Sequence, residues 1–332
     1  MSESVAYDLP HRPRRNRKSA AIRSMVRETE LSPAHFIYPL FIQEGTQDDD
    51  IASMPGCKRW SLDGLLGEVA SAQTLGVNAV VLFPAIAESL KTPLAEECAN
   101  DDGLVPRAIR ALKAKFPELV VITDVALDPY NSNGHDGIVQ DGRILNDETI
   151  EVLCAQALCH ARAGADIVSP SDMMDGRVGA IREALDLHEF PDVLILSYTA
   201  KYASAFYGPF RGALDSAPKS GDKKSYQMDP ANAREALREA DLDAMEGADM
   251  LMVKPAGPYL DIIHRLREHS DLPIAAYQVS GEYLMIKSAS AAGWLDEKKI
   301  VLETLTGIRR AGADIILTYY AKQAAEWLRS AE

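Results

Sequence analysis

The stretch Gly247-Ala248-Asp249-Met250-Leu251-Met252-Val253-Lys254-Pro255 decides how the chain is read. Four apolar residues bounded by an aspartate and a proline predict a buried strand, and the glycine ahead of them suits the end of a helix. Proline offers no N–H to a ladder, so the strand stops at Lys254 and the ammonium sits at its C-terminal tip. Burial there penalises the charged lysine, and the neutral amine is the form that attacks a carbonyl. A second lysine, Lys201, stands just beyond another apolar run at 193–196. Two lysines facing one pocket depress each other's pKa further, because like charges disfavour the charged state.

Outward from 249–253, apolar runs recur at 36–42, 79–83, 119–123, 166–169, 193–196, 274–279 and 313–318. Several follow a glycine turn, as at Gly76, Gly164, Gly247 and Gly312, where the left-handed C′ position of a helix costs glycine little. Between the runs lie amphipathic segments at 62–75, 148–163, 231–246 and 298–310. In 231–246, Ala233, Leu237, Ala240 and Ala244 are expected to line one face. Eight alternating β and α units predict a (β/α)8 TIM barrel. A doubly wound open sheet is the alternative, but no G-x-G-x-x-G follows the first run.

Composition narrows the function classes. A net charge of −14 over 332 residues argues against a nucleic-acid surface, while leaving room for local binding of an anionic substrate. No apolar stretch reaches the length of a membrane span, and no signal-like h-region follows the basic N-terminus. Cys57, Cys98, Cys154 and Cys159 form no C-x-x-C pair and read as reduced thiols, so a cytoplasmic location is expected. Residues 1–32 stand apart from the barrel at 33–332. Arg12, Arg14, Arg15, Arg17 and Lys18 crowd together there, which fits an extended N-terminal arm packing on an acidic neighbouring subunit.

The polar residues gather at the C-terminal ends of the expected strands, where barrels of this kind build active sites. The third run ends in Asp124 and leads to Asp128, Tyr130, His135 and Asp136, and the fourth ends near Ser171 and Asp172. Beyond the fifth come Lys201, Tyr207 and Arg211, beyond the seventh Tyr277 and Ser280, and beyond the eighth Tyr319 and Tyr320. The aspartate-rich segment 124–137 suits a hard cation with oxygen ligands, or a substrate ammonium, more than the plain turn chemistry of Asp-Pro and Asn-Gly. The segment 212–230 has no apolar periodicity and is long enough to be a lid. Arg211 and Lys223, on or beside it, could hold a substrate carboxylate.

Several stretches together resemble the porphobilinogen synthase (δ-aminolevulinic acid dehydratase) family: Pro170-Ser171-Asp172-Met173-Met174-Asp175-Gly176-Arg177, Ser197-Tyr198-Thr199-Ala200-Lys201, Phe206-Tyr207-Gly208-Pro209-Phe210-Arg211, the Lys254 stretch itself, and Val279-Ser280-Gly281-Glu282. The resemblance runs from about residue 10 to the C-terminus. It implies a TIM barrel with an N-terminal arm, assembled as a homo-octamer, that condenses two molecules of 5-aminolevulinate to porphobilinogen with loss of two waters. By the same resemblance Lys254 carries the A-side Schiff base and Lys201 the P-side one. Arg211 and Lys223 bind one substrate carboxylate, Ser280 and Tyr319 the other, and Asp124 and Ser171 line the P side. Tyr207 and Tyr277 are expected among the substrate-binding residues.

The chain departs from zinc-dependent members of that family. Where they carry three cysteines, it has Ala126, Asp128 and Asp136, so a thiolate zinc site is not expected. The resemblance implies the aspartate-rich class, in which Mg2+ or a monovalent cation replaces zinc at the active site, with Asp128 and Asp136 as candidate ligands, or no active-site metal is needed. It also implies an allosteric Mg2+ marked by Glu239. The alternative function, a class I aldolase or decarboxylase, explains Lys254 but leaves Lys201 and the basic loop without a role.

Overall fold

A computed structural model of the chain describes residues 9–214 and 218–330, with the side chain of Arg211 outside the described set. The chain divides into two compact units after Glu30. In the first, a 3-10 turn at Pro13–Arg17 is followed by a short helix, Ala20–Met25, whose N-cap Ser19 accepts from the Ile22 N–H. No residue of either element is buried.

The second unit is a closed barrel of eight parallel strands: β1 Phe36–Gln43, β2 Ala79–Ala85, β3 Val120–Val125, β4 Ile167–Pro170, β5 Leu194–Lys201, β6 Met250–Lys254, β7 Ile274–Gln278 and β8 Ile315–Thr318. Each pairs with the next, and β8 returns to β1 through Phe36↔Ile316 and Ile37↔Leu317. The surrounding helices are α1 Leu62–Thr74, α2 Leu104–Lys115, α3 Asn146–Ala163, α4 Arg177–Leu187, α5 Gly208–Leu214, α6 Arg234–Met245, α7 Leu260–His269, α8 Ser280–Ala291, α9 Glu297–Ala311 and α10 Ala321–Arg329. This is the (β/α)8 architecture expected from the eight apolar runs.

The strand that leads to Lys254 shows how the barrel is tied at its opposite end. Asp249 donates its backbone N–H to the Ile195 carbonyl at 3.0 Å and accepts the Ile195 N–H on its carboxylate at 2.7 Å. The same two-point exchange joins Asp166 to Val121 and Asp314 to Ile274. In each case the triplet Gly-Ala-Asp ends a helix and starts an even-numbered strand, and its carboxylate satisfies an N–H at the foot of the preceding strand. The repeated triplet was a usable sequence signal beyond its glycine.

Three local expectations are corrected. The strand at 193–196 continues to Lys201, which is therefore a strand-tip residue like Lys254 rather than one beyond the strand. Helix α6 buries Ala236, Ala240 and Asp243, whereas Ala244 is exposed. The face is turned because Asp243 is drawn inward to the buried guanidinium of Arg177, 3.4 Å away. The segment 212–230 is not a featureless loop: α5 runs to Leu214, and at the far end Met228 is bonded through its backbone to Lys201 and Ala203.

Candidate active site

Lys254 and Lys201 end adjacent strands and are register partners, so the parallel ladder sets both amines on one rim of the barrel. Both are buried. Around them a small cavity of about 30 Å³ is lined by Asp124, Asp128, Asp136, Ser171, Lys201, Tyr207, Phe210, Lys223, Gln227 and Lys254. Eight of these ten were expected at the site from the sequence; Phe210 and Gln227 were not. Asp124 comes from the end of β3, Asp128 and Asp136 from the segment after it, and Ser171 from the turn after β4.

Burial sets the chemistry of Lys254. It lies under a box of rings, with Nζ 4.8 Å from the centre of Tyr277, 4.9 Å from Tyr198, 5.3 Å from Tyr207 and 5.4 Å from Phe210. These faces attract a cation, as do the three aspartates nearby. Desolvation and, next, the charge of Lys201 outweigh them and lower the Lys254 pKa to about 7. Asp124 is moved the other way: burial raises its carboxyl well above the usual range, against the pull of Lys254 and Lys201. A lysine that tends to neutrality therefore sits with a carboxyl that tends to hold a proton, a pairing suited to exchanging one.

The other carboxylates are held by lysines. Lys223 Nζ donates to Asp136 at 3.0 Å and to Asp128 at 3.4 Å, and Lys201 Nζ lies 3.6 Å from Asp136 while also donating to the Ser171 carbonyl. Asp136 stays well below the ordinary carboxylate range: its burial is overcome by Lys201 and Lys223. The donor chemistry of Asp128 and Asp136 is thus engaged by ammonium groups. Among the described residues no cluster of three or more His, Cys, Asp or Glu side chains is placed to hold a metal ion.

Lys223 reaches the cavity because the segment carrying it is fastened over the rim. His135 meets the Ser220 carbonyl at 2.9 Å through Nε2 and the Tyr226 hydroxyl at 3.1 Å through Nδ1, and Lys219 N–H donates to the Asn133 carbonyl. His135 therefore clasps this segment. A cavity of 30 Å³ is about the room of one or two waters.

The remaining expected residues lie around this centre. Tyr277 and Tyr319 share a 2.7 Å hydroxyl–hydroxyl hydrogen bond, and Tyr319 stacks on Phe41. Ser280 accepts the Phe210 N–H at 3.0 Å. Tyr207 donates to the Lys254 carbonyl at 3.1 Å. Arg211 lies in α5 next to Phe210, but its side chain is outside the described residues. Glu239 is elsewhere. It lines a larger cleft of about 990 Å³ with Asp175, Asp229 and Glu235, and burial raises its pKa.

Two supporting groups had no role in the sequence reading. Glu282 accepts the N–H groups of Gly257 at 2.7 Å, Val279 at 2.8 Å and Ala256 at 3.4 Å, joining the turn after Lys254 to the turn that carries Ser280. The approach is close enough that a Cβ on Gly257 would fall 2.6 Å from the Glu282 carboxylate. Buried Arg177 bridges Asp172 at 3.7 Å and Asp243 at 3.4 Å and also donates to Ser197 and the Met174 carbonyl, which fixes the turn holding Ser171. Glutamate and arginine are surface residues by default, and only the fold shows that these two are enclosed.

Comparison with known proteins places this geometry. The family model for delta-aminolevulinic acid dehydratase matches residues 10–327. The chain is 65% identical over 323 residues to the chloroplastic delta-aminolevulinic acid dehydratase of Physcomitrium patens, covering 96% of this chain and 74% of the relative. It is 63% identical over 324 residues to the chloroplastic delta-aminolevulinic acid dehydratase 1 of Arabidopsis thaliana, covering 97% and 75%. Among solved structures, delta-aminolevulinic acid dehydratase (porphobilinogen synthase) of Toxoplasma gondii, in complex with the reaction product porphobilinogen, superposes with a TM-score of 0.95. That pair is 56% identical, with 96% of this chain and 92% of the other covered. The cytoplasmic location expected from the free cysteines is overturned by the chloroplastic relatives. Free thiols report a reducing environment and do not tell one compartment from another. No helix among the described residues is long and apolar enough to cross a membrane.

Proposed function

The chain belongs to the delta-aminolevulinic acid dehydratase family, and from that premise we infer that it joins two molecules of 5-aminolevulinate into porphobilinogen, releasing two waters. The observation that carries this reading is the pair of buried lysines at adjacent strand tips. One Schiff-base lysine would suffice for an aldolase; two amines on one rim suit an enzyme that must hold two ketones in distinct orientations.

In this reading Lys254 binds the A-side substrate and Lys201 the P-side one. The neutral Lys254 amine adds to a ketone, water leaves, and the iminium draws electrons from the adjacent carbon so that it can lose a proton and attack the second substrate. Asp124 exchanges a proton with Lys254. Lys223, with Arg211, takes a substrate carboxylate in exchange for Asp128 and Asp136 as the covering segment closes. Ser280, Tyr319 and Tyr277 receive the other carboxylate, with Ser171 and Tyr207 completing the wall.

We place the chain in the zinc-independent class. The positions of the cysteine ligands hold Ala126, Asp128 and Asp136, and carboxylates neutralised by lysines support the option in which no active-site metal is needed over Mg2+ or a monovalent cation there. An allosteric Mg2+ would be held at Glu239, in a cleft whose carboxylates suit an ion that keeps most of its waters. The basic arm supports assembly as a homo-octamer, and the location of the relatives supports a plastid. The deciding experiment is borohydride trapping with 5-aminolevulinate followed by peptide mapping. Label at Lys254 and Lys201 is expected, and its absence from Lys254 would refute the assignment.

A further inference from the structure

Tyr198 sits on β5, three residues before Lys201. Its ring centre is 4.9 Å from Lys254 Nζ and 5.9 Å from Lys201 Nζ, and among the described residues it is the one ring that faces both amines. The side chain is fully buried, and its hydroxyl has no hydrogen-bond partner among the described residues. The neighbours within electrostatic reach are Asp124, Tyr277, Tyr207 and Asp128, all members of the site already described. A buried hydroxyl without a partner is unfavourable, and phenylalanine would fill the same space without that loss. The ring alone explains a residue that attracts two ammonium groups. It does not explain the oxygen.

We propose that the Tyr198 hydroxyl is a catalytic hydrogen-bond donor to the substrate oxygen while the Lys254 amine adds to the ketone. This rests on the assignment of Lys254 as a Schiff-base lysine. In the addition the nitrogen lone pair forms the C–N bond, and the carbonyl π pair moves onto oxygen. The developing oxyanion takes the hydrogen bond from Tyr198, in a buried site where a preorganised donor is most effective. The proton released from nitrogen then passes to that oxygen, giving the carbinolamine. In the second step the C–O bond breaks, a proton from the Asp124 carboxyl leaves with the oxygen as water, and the nitrogen pair forms C=N. Tyr198 keeps its proton throughout. Burial raises its pKa well above the usual tyrosine value, which suits a donor that never ionises.

Tyr198→Phe keeps the ring and removes only the hydroxyl. Full-length enzyme and variant would be mixed with 5-aminolevulinate, quenched with borohydride at timed intervals, and mapped for label at Lys254. The expected result is a trapping rate lower by roughly 10²–10³-fold, with the same pH inflection and a melting midpoint unchanged or raised. A trapping rate within about twofold of the unsubstituted enzyme would overturn the proposal. So would a loss of rate accompanied by a lowered melting midpoint, since that would mark packing rather than hydrogen bonding. If the unsubstituted enzyme carries no label at Lys254, the lysine assignment itself fails, and the control separates the two failures.

Discussion

Lys254 and Lys201 are paired across β5 and β6, residue opposite residue. The strand register therefore sets the two lysines side by side, which is the origin of their mutual repulsion. It adds to burial in lowering the Lys254 pKa to about 7. Below that pH the neutral fraction falls about tenfold per unit. Trapping of substrate at Lys254 should rise between about pH 6 and pH 8 and then level off, a profile read from quench-flow at each pH.

Stability follows the same group with a definite sign. The folded pKa lies below the unfolded one of 10.5, so between about pH 7 and 10.5 the unfolded chain binds more protons at this site. This group's contribution should make the fold more stable as pH rises through that window. Lys254→Met should remove that part of the slope without lowering stability at pH 7. Denaturant titrations of both proteins across the window measure the difference.

Removing Lys201 tests the pairing directly. With Lys201→Met the repulsion disappears, and the trapping inflection at Lys254 should move to higher pH. An inflection that stays in place would mean that burial alone sets it.

Asp136 holds Lys223 and faces Lys201 from a site that is 1% exposed. Asp136→Ala leaves two buried ammonium groups short of a counter-charge, and a loss of about 3–5 kcal/mol is expected. Because its folded pKa is depressed, its contribution is present above the ordinary carboxylate pKa and fades as pH falls through the folded value. Chemical denaturation at pH 7 checks the magnitude.

Glu282→Gln replaces an acceptor that holds three backbone N–H groups with an amide that must turn one N–H donor toward them. A cost of about 1–3 kcal/mol is expected from the lost acceptor. The turn after Lys254 and the turn that carries Ser280 should loosen together. Turnover should fall, with trapping at Lys254 more affected than trapping at Lys201, because Glu282 bonds the turn that follows Lys254. Equal loss at both lysines would assign Glu282 to general stability.

Glu239→Ala, read by activity and native mass across a magnesium titration, should abolish magnesium stimulation and retain basal turnover. A response equal to that of the unsubstituted enzyme would remove Glu239 from the regulatory role proposed for it.

Much of this was legible in the order of residues. Apolar runs such as 249–253 show the strands, because a strand buried by helices has little room for polar side chains. Polar residues massed after those runs show the rim. Harder to see were the groups whose meaning lies in enclosure. Arg177, Asp243 and Glu282 are residue types of helix surfaces, and Tyr198 lies beyond the apolar run at 193–196, where nothing local places its ring against the lysines. Helix α6 packs Ala233, Leu237 and Ala240 on the expected face, but Asp243 takes the place of Ala244 because Arg177 draws it inward, a long-range contact that no local pattern shows.

By itself the sequence determined that eight strands alternate with helices, that two lysines follow two of the apolar runs, and that Asp124, Asp128 and Asp136 crowd the segment after the third run. These are local properties, fixed by period, turn chemistry and side-chain identity. Only the tertiary structure decided that Lys254 and Lys201 are register partners, that Lys223 descends into the site to hold Asp128 and Asp136, and that one tyrosine faces both amines. Those relations come from barrel closure and side-chain packing between segments distant in the chain. The desolvation that lowers the Lys254 pKa exists only once they are assembled.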